Sequence, residues 1–290
     1  MKKLLLMLLC LATLLIAGCG DKYAKEKEAM TKTEKAAMAM ELPVVEKPDF
    51  SKTPKPTGDE RQKIWKKYNE DFSKFVEAEE KILAEMRKSD AQIAELEKKA
   101  ESDSDKKNLK EFKDKLRKER IEFVKKISKG RLEGDPFIAG VGSTWQEVEM
   151  VYGKPLNAEE NNPGSKVYKY DGIEFEDWIG GGVPPLEVRK KWKSRSVQVV
   201  SVTGNNITSD AGVKLGMTVE EVQKVLKEKY VKKSKYPESG FEFGNVIDSR
   251  SPNKKFNIMH YSMKDTGIVF STFLDFKDGK LIKYIESQKP

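Results

Sequence analysis

A long amphipathic stretch between residues 59 and 129 limits most strongly what this chain can fold into. Its apolar residues recur at the three- and four-residue spacing of one helical face, with lysine and glutamate between them. The first stripe comprises Trp65, Tyr68, Phe72, Phe75, Ile82, Met86, Ile93 and Leu96, and the second comprises Leu109, Phe112, Leu116, Phe123 and Ile127. Two such stripes can each cover the other. We therefore predict an antiparallel helical hairpin over residues 58–130.

Polar residues at the borders of this stretch predict where its helices begin. Thr57, followed three residues later by Glu60, has the spacing of a capping box, and the polar segment 101–105 separates the two stripes. Ser89 and Gln92 have the same spacing inside the first stripe, which leaves three helices as an alternative to two. The aromatic stripe could also receive a partner helix, although core packing is its commoner role.

The sequence changes character after residue 135, where glycine, valine, tyrosine and short alternating runs replace the lysine- and glutamate-rich helices. This region contains an internal repeat, because Gly142–Val148 and Gly216–Val222 share the pattern Gly-x-Thr-x-x-Glu-Val. In each copy the threonine can cap a helix whose third residue is glutamate. We predict a two-repeat α+β domain over 135–290, with copies at about 135–206 and 210–287.

Strand patterns follow each of these predicted helices. Residues 168–175 read as a hairpin with an Asp-Gly turn, and residues 264–270 are its counterpart in the second copy. A later strand closes each copy, at 197–202 and at 281–285. Each predicted repeat is thus one helix followed by an antiparallel sheet.

The repeated helix start, the Gly-x-Pro stop at Gly153–Pro155 and the following sheets resemble the β-lactamase-inhibitor-protein-like fold. They are also similar to the small outer-membrane assembly lipoproteins of the SmpA/OmlA type. The chain departs from the inhibitor proteins in lacking their cysteines, and from the assembly lipoproteins in having two units and a helical stalk. The resemblance implies protein binding by a sheet face and its loops.

The first residues have the pattern of a secretory leader. Lys2 and Lys3 precede an apolar run over 4–16, which is shorter than the roughly 20 residues that span a bilayer. The ending Ile16–Cys19 resembles the lipobox of bacterial lipoproteins, in which the cysteine is lipidated. We therefore expect a signal peptide at 1–18, a lipid anchor on Cys19 and a membrane location outside the cytoplasm, at the cell membrane or the outer membrane.

Residues 19–57 have the composition of a tether. Lysine, glutamate, alanine and threonine dominate, and four prolines punctuate the second half. Because such a segment buries little apolar surface, we predict a disordered tether that gives the folded part reach from the membrane. A short helix over residues 25–40 is compatible with the same composition.

The residue types of catalysis and metal binding are scarce. His260 is the only histidine, and Cys10 and Cys19 are the only cysteines. Glu174 and Glu176 lie two residues apart on one predicted strand, a separation that a glycosidase could use, but a solvated strand face explains them more simply. We predict no enzyme activity, no cofactor and no metal. The net charge of +8 comes without a nucleic-acid-binding motif, so no nucleic acid partner is expected.

The segment 177–195 is the most unusual of the chain, because it combines two tryptophans with glycines, prolines and a basic cluster. Trp178, Arg189 and Trp192 are the candidate partner-binding residues, since tryptophan and arginine often anchor interfaces. The same tryptophans could instead cap the sheet core. The expected function is a non-catalytic module that binds another envelope protein. The alternative is a structural envelope or wall spacer acting through its helical stalk, and an enzyme acting on the cell wall ranks last.

Overall fold

The structure is a computed structural model, and it describes residues 21–45, 57–128, 138–162, 165–177, 196–209, 212–233, 241–246, 254–260 and 269–289. These residues form five helices and one antiparallel eight-stranded sheet, which confirms the α+β class. The chain divides into two compact units. Unit 1 comprises residues 1–41 and 81–120, and unit 2 comprises residues 42–80 and 121–290.

The helices are α1 (Ala24–Met38), α2 (Gly58–Lys99), α3 (Asp103–Ile127), α4 (Trp145–Tyr152) and α5 (Val219–Lys233). The strands are β1 (Asn157–Asn162), β2 (Ser165–Tyr170), β3 (Ile173–Glu176), β4 (Val199–Val202), β5 (Phe241–Val246), β6 (Lys254–His260), β7 (Val269–Lys277) and β8 (Lys280–Lys289).

Helix α2 begins as the sequence predicts. The backbone N–H of Thr57 donates to Glu60 at 2.7 Å, and the N–H of Glu60 donates to the Thr57 hydroxyl at 3.4 Å, which forms the expected capping box. The helix then continues for 42 residues without a break, so the alternative start at Ser89 is not used. Ser89 is instead buried on the side of the helix. Residues 57–128 therefore contain two helices.

Helix α1 lies within residues 19–57, where the sequence allows a short helix over residues 25–40, and it replaces the expected disorder over residues 24–38. Its buried residues include Met30 and Ala37, one helical stripe that the lysine-rich composition conceals. With Tyr23, Met30 joins a cluster of unit 1 whose other members are Ile93, Leu96, Ala100, Leu109, Phe112 and Leu116. The segment is ordered because long-range packing supplies the apolar burial that its own composition lacks.

An ion pair inside unit 1 fixes α1 in place. Arg120 donates from Nε and Nη2 to the two carboxylate oxygens of Glu34, at 3.0 and 2.6 Å. The same guanidinium reaches Asp90 and the backbone carbonyl of Met86 on α2. Burial opposes the charged form, but the hydrogen bonds and charges of Glu34 and Asp90 prevail and raise the pKa of Arg120. One side chain of α3 thus joins α1 and α2.

Replacing Arg120 with methionine should release α1 from unit 1. The change leaves the fully buried carboxylate of Glu34 without its cation, a loss that typically costs about 3–5 kcal/mol. Hydrogen exchange of the α1 amides should show an opening free energy lower by about that amount. The control is Lys113→Met, because the ion pair of Lys113 with Glu97 is exposed and such pairs contribute little. Equal exchange in the two variants would contradict the prediction.

The sheet of unit 2 is built from two successive four-stranded meanders. Strands β1 to β4 follow α4, and β5 to β8 follow α5. The spatial order β1-β2-β3-β4-β8-β7-β6-β5 places the last strand of each meander beside the other. The predicted Asp-Gly turn joins β2 to β3, where Tyr170 pairs with Ile173. The hairpin predicted at 264–270 lies mostly outside the described residues.

Helices α4 and α5 start in the same way. Gly142 and Gly216 have φ values of 87° and 88°, a backbone region that favours glycine. Gly142 donates its N–H to the carbonyl of Val197, and Gly216 donates to that of Leu281. Thr144 then forms the predicted capping box with Glu147, while Thr218 forms the same box with Glu221. Helix α4 ends at the predicted glycine, Gly153.

The two capping threonines differ in what else they bind. The hydroxyl of Thr144 also donates to the buried carboxylate of Glu79 on α2, at 2.7 Å, whereas the Thr218 box is exposed. Beside it, Gln146 donates to Glu80 at 3.0 Å. Within unit 2, the N-terminus of α4 therefore faces two carboxylates of α2, an arrangement that the helix dipole favours.

Replacing each of these threonines with alanine should separate the two roles. Thr218→Ala removes a helix cap, which costs about 0.5–2 kcal/mol. Thr144→Ala removes a cap and also the donor to buried Glu79, which adds about 1–3 kcal/mol. Urea unfolding followed by circular dichroism should show the larger loss of stability for Thr144→Ala. Equal losses would mean that the Glu79 contact contributes nothing.

Candidate functional site

The sheet of unit 2 has one buried face and one open face. Along β3, Ile173 and Phe175 are fully buried while Glu174 and Glu176 are half-buried, and β4 shows the same alternation. Successive side chains of a strand point to opposite faces. The glutamates therefore mark the face that is open to solvent.

The buried face is covered on one side by aromatic contacts from α4. The ring of Trp145 lies 4.3 Å from that of Tyr168, centroid to centroid, and Tyr152 lies 5.0 Å from Phe175. Tyr170 packs edge-on against Phe175, and its burial there raises the pKa of the Tyr170 hydroxyl. Because α4 occupies this face, the opposite face of these strands is the one open to solvent.

The pairing of neighbouring strands identifies the residues that share the open face of the sheet. Glu174 pairs with Lys169 on one side and Ser201 on the other, Ser201 pairs with Ile285, and Ile285 pairs with Phe273. Directly paired residues share a face. A second row on the same face consists of Val167, Glu176, Val199 and Ser287. We call these two rows, together with Glu159 beside Val167, the open face.

The middle of the open face is apolar. Phe273 is 36% exposed, its direct cross-strand partner Ile285 is half-buried, and so is Val199, which lies diagonal to Ile285 on β4. These three side chains come from the adjacent strands β7, β8 and β4. Exposed aromatic and branched apolar groups on a sheet surface offer contact area to a partner at low cost in side-chain entropy.

The flank formed by β1, β2 and β3 carries an excess of negative charge. Lys169 lies 2.7 Å from Glu159, and the hydrogen bond that Lys169 donates to this carboxylate raises the pKa of the lysine. The charge of Glu174 acts in the same direction. Three carboxylates, those of Glu159, Glu174 and Glu176, thus surround one lysine. This flank suits a partner group that carries positive charge.

A small hollow of about 140 Å³ lies on this flank, lined by Glu159, Val167, Lys169, Glu174, Glu176 and Ser201. Sites that enclose a small molecule usually measure about 300–1,000 Å³. The hollow is therefore large enough for one side chain of a protein partner and small for a metabolite.

The structure describes some of the candidate residues of the sequence analysis and leaves others outside the described ranges. Cys19, Trp178, Arg189 and Trp192 all fall outside the described residues. Glu174 and Glu176 are brought together on the open face, as their spacing predicts. His260 ends strand β6, where its backbone pairs with Phe241 and Phe270.

Sequence reasoning missed the apolar middle of the open face. In the sequence, Leu274 and Phe276 alternate with Asp275 and Lys277, and this alternation could have placed Phe273 on the solvent face of its strand. Ile285 and Val199 could not be found in this way, because their positions relative to Phe273 depend on the pairing of the two meanders.

Comparison with protein-family models, curated proteins and solved structures finds no significant match to this chain. No helix among the described residues has the length and apolar character needed to cross a membrane. The same residues contain no group of three or more histidine, cysteine, aspartate or glutamate side chains that could hold a metal ion.

Proposed function

We propose that this chain is a lipid-anchored envelope protein that binds another envelope protein through the open face of its sheet. The anchor rests on the basic start, the apolar run and the ending Ile16–Cys19 of the leader. The binding surface rests on the apolar middle and acidic flank of the open face. Trp178, Arg189 and Trp192 join this proposal as a second contact region. The module itself needs no catalysis and no cofactor.

The finer architecture belongs to the same proposal. Helices α2 and α3 would form the hairpin over 58–130, and residues 135–206 and 210–287 would be tandem repeats of the β-lactamase-inhibitor-protein-like kind. The matched bonds of Gly142 with Val197 and of Gly216 with Leu281 support this assignment. Counting four residues on from Val197 and from Leu281 leads to Ser201 and Ile285, which pair directly with each other. A twofold axis between equivalent strands would produce that pairing.

The partner chemistry follows from the open face. Glu174 and Phe273 lie in one row of the open face with two strands between them, about 14 Å apart. A partner segment with a basic and an apolar side chain at that separation would place its charge among Glu159, Glu174 and Glu176 and its apolar group against Phe273. Such pairing would supply specificity from charge and contact area from the apolar strip. The small volume of the hollow supports a protein partner over a free metabolite.

Replacing Cys19 with serine should abolish the membrane attachment. The expected acyl chains each contribute about 0.8 kcal/mol per buried methylene, and a serine side chain cannot form the thioether that carries them. Expressed in a bacterial host, the natural chain should fractionate with membranes and show an acylated N-terminal peptide by mass spectrometry. The Cys19→Ser chain should lack this peptide and leave the membrane fraction. A natural chain that is cleaved but not acylated would contradict the anchor.

Changing the open face should weaken partner capture without unfolding the sheet. We expect Phe273→Ser with Glu174→Lys to reduce, by tenfold or more, the yield of a dominant partner cross-linked in intact envelopes, since such a loss corresponds to about 1.4 kcal/mol. The control is Leu156→Ser with Glu228→Lys, which makes the same two kinds of change at exposed residues outside the open face and should leave the yield unchanged. Circular dichroism checks the fold of each variant. Trp178→Ala with Trp192→Ala tests the second contact region. Undiminished capture by the Phe273–Glu174 variant would exclude the open face as the binding surface.

A spacer role through the helical stalk is the second candidate, and one observation favours it. Trp65 on α2 is 48% exposed, beside the polar groups of Gln62, Asn69 and Ser73. An exposed tryptophan on a long helix is a common anchor for a partner. In the capture experiment, loss of the partner on Trp65→Ala but not on the open-face changes would favour this second role.

A further inference from the structure

The first described residues of unit 1 are already part of its fold, and this bears on where a lipid on Cys19 would hold the protein. The Asp21 carboxylate accepts hydrogen bonds from the N–H of Tyr23 at 3.1 Å and from Nζ of Lys27 at 2.7 Å. Tyr23 is only 5% exposed and belongs to the apolar cluster of unit 1. Gly20 alone separates Cys19 from Asp21.

This spacing sets how far unit 1 can stand from its anchor. Two residues span at most about 7 Å when fully extended. A flexible tether over residues 19–57 would instead give a root-mean-square reach of roughly 35 Å. The fold of α1 therefore replaces most of that reach with a short, fixed connection.

The contacts of α1 identify the end of unit 1 that lies next to the anchor. Nζ of Lys27 donates to the backbone carbonyl of Asn108, near the start of α3, at 2.9 Å. Ala100, at the turn between α2 and α3, shares the cluster of Tyr23. The start of α1, the start of α3 and this turn thus lie together. Further along α1, Glu34 meets Arg120, so α1 and α3 run in the same direction.

The opposite end of α1 lies well away from the anchor. Helix α1 has 15 residues, and at 1.5 Å per residue it is about 22 Å long. Ala39, just past its C-terminus, is exposed there. The Arg120–Glu34–Asp90 ion pairs keep the helix from swinging away.

We propose that unit 1 lies directly against the headgroup surface of the bilayer that bears the anchor, with the turn between α2 and α3 facing the lipid. This inference rests on the acylation of Cys19 proposed above. Exposed side chains at this end carry charges of both signs, with Lys22, Lys98, Lys99, Lys106 and Lys107 near Glu101 and Asp103. The acyl chains supply the main attraction to the bilayer, and the lysines add to it where the lipid is anionic.

The chain allows a direct test, because Cys10 and Cys19 are its only cysteines. Cys10 leaves with the leader, and the sulfur of an acylated Cys19 is blocked, so Glu101→Cys and Ala39→Cys each give one site for a fluorophore. The acylated proteins are placed in phosphatidylethanolamine and phosphatidylglycerol vesicles that carry a nitroxide on the headgroup. Because nitroxide quenching acts over short distances, it should be severalfold stronger at position 101 than at position 39.

Breaking the ion pair should remove this difference. Arg120→Met frees α1 to act as a tether, so quenching at position 101 should fall severalfold, whereas the control Lys113→Met should leave it unchanged. If Arg120→Met fails to fold, the comparison of positions 101 and 39 in the protein with Arg120 intact still tests the apposition. Equal quenching at the two positions of an acylated protein would overturn the apposition alone. Absence of the acylated peptide in the mass spectrum would overturn both the anchor and the apposition.

Discussion

The pairing of β4 with β8 is the contact on which the architecture of the sheet depends. Without it, each four-stranded meander would end in an open strand with a row of unsatisfied N–H and C=O groups. The antiparallel register from Val199–Ser287 to Val202–Tyr284 satisfies both edges at once. It also places Ile285 opposite Ser201 and diagonal to Val199, and so creates the apolar middle of the open face. The strand pairing that joins the two meanders therefore also forms the candidate site.

Local features of this fold could be predicted from the sequence, because short-range interactions encode them. The capping boxes at Thr57, Thr144 and Thr218 each need only residues three apart, and all three form. The Asp-Gly turn after Tyr170 and the stop at Gly153 likewise depend on neighbouring residues. These signals suffice for the α+β class and for the positions of most of the helices.

Long-range contacts could not be predicted in this way. Glu34 and Arg120 are 86 positions apart, and nothing in the composition of residues 19–57 distinguishes a packed helix from a tether. The apolar middle of the open face has the same origin, since only strand pairing places Ile285 opposite Phe273 and diagonal to Val199. The acidic pair Glu174 and Glu176 could be predicted from the sequence because both residues belong to one strand. For Trp178, Arg189 and Trp192 the expectation rests on sequence alone.

A buried ion pair at the centre of unit 1 calls for a physical reason, since apolar residues of similar volume often stabilise as well or better. The helices of this unit are rich in lysine and glutamate, and their apolar stripes are narrow, so several helix registers would bury comparable area. Sliding α1 by one turn would leave Glu34 buried without Arg120, which is far costlier than a shifted apolar contact. We infer that the pair selects one register of α1. That register also fixes where Asp21, the first described residue, lies on unit 1, so the same side chains that specify the fold would orient the protein at the anchor proposed on Cys19.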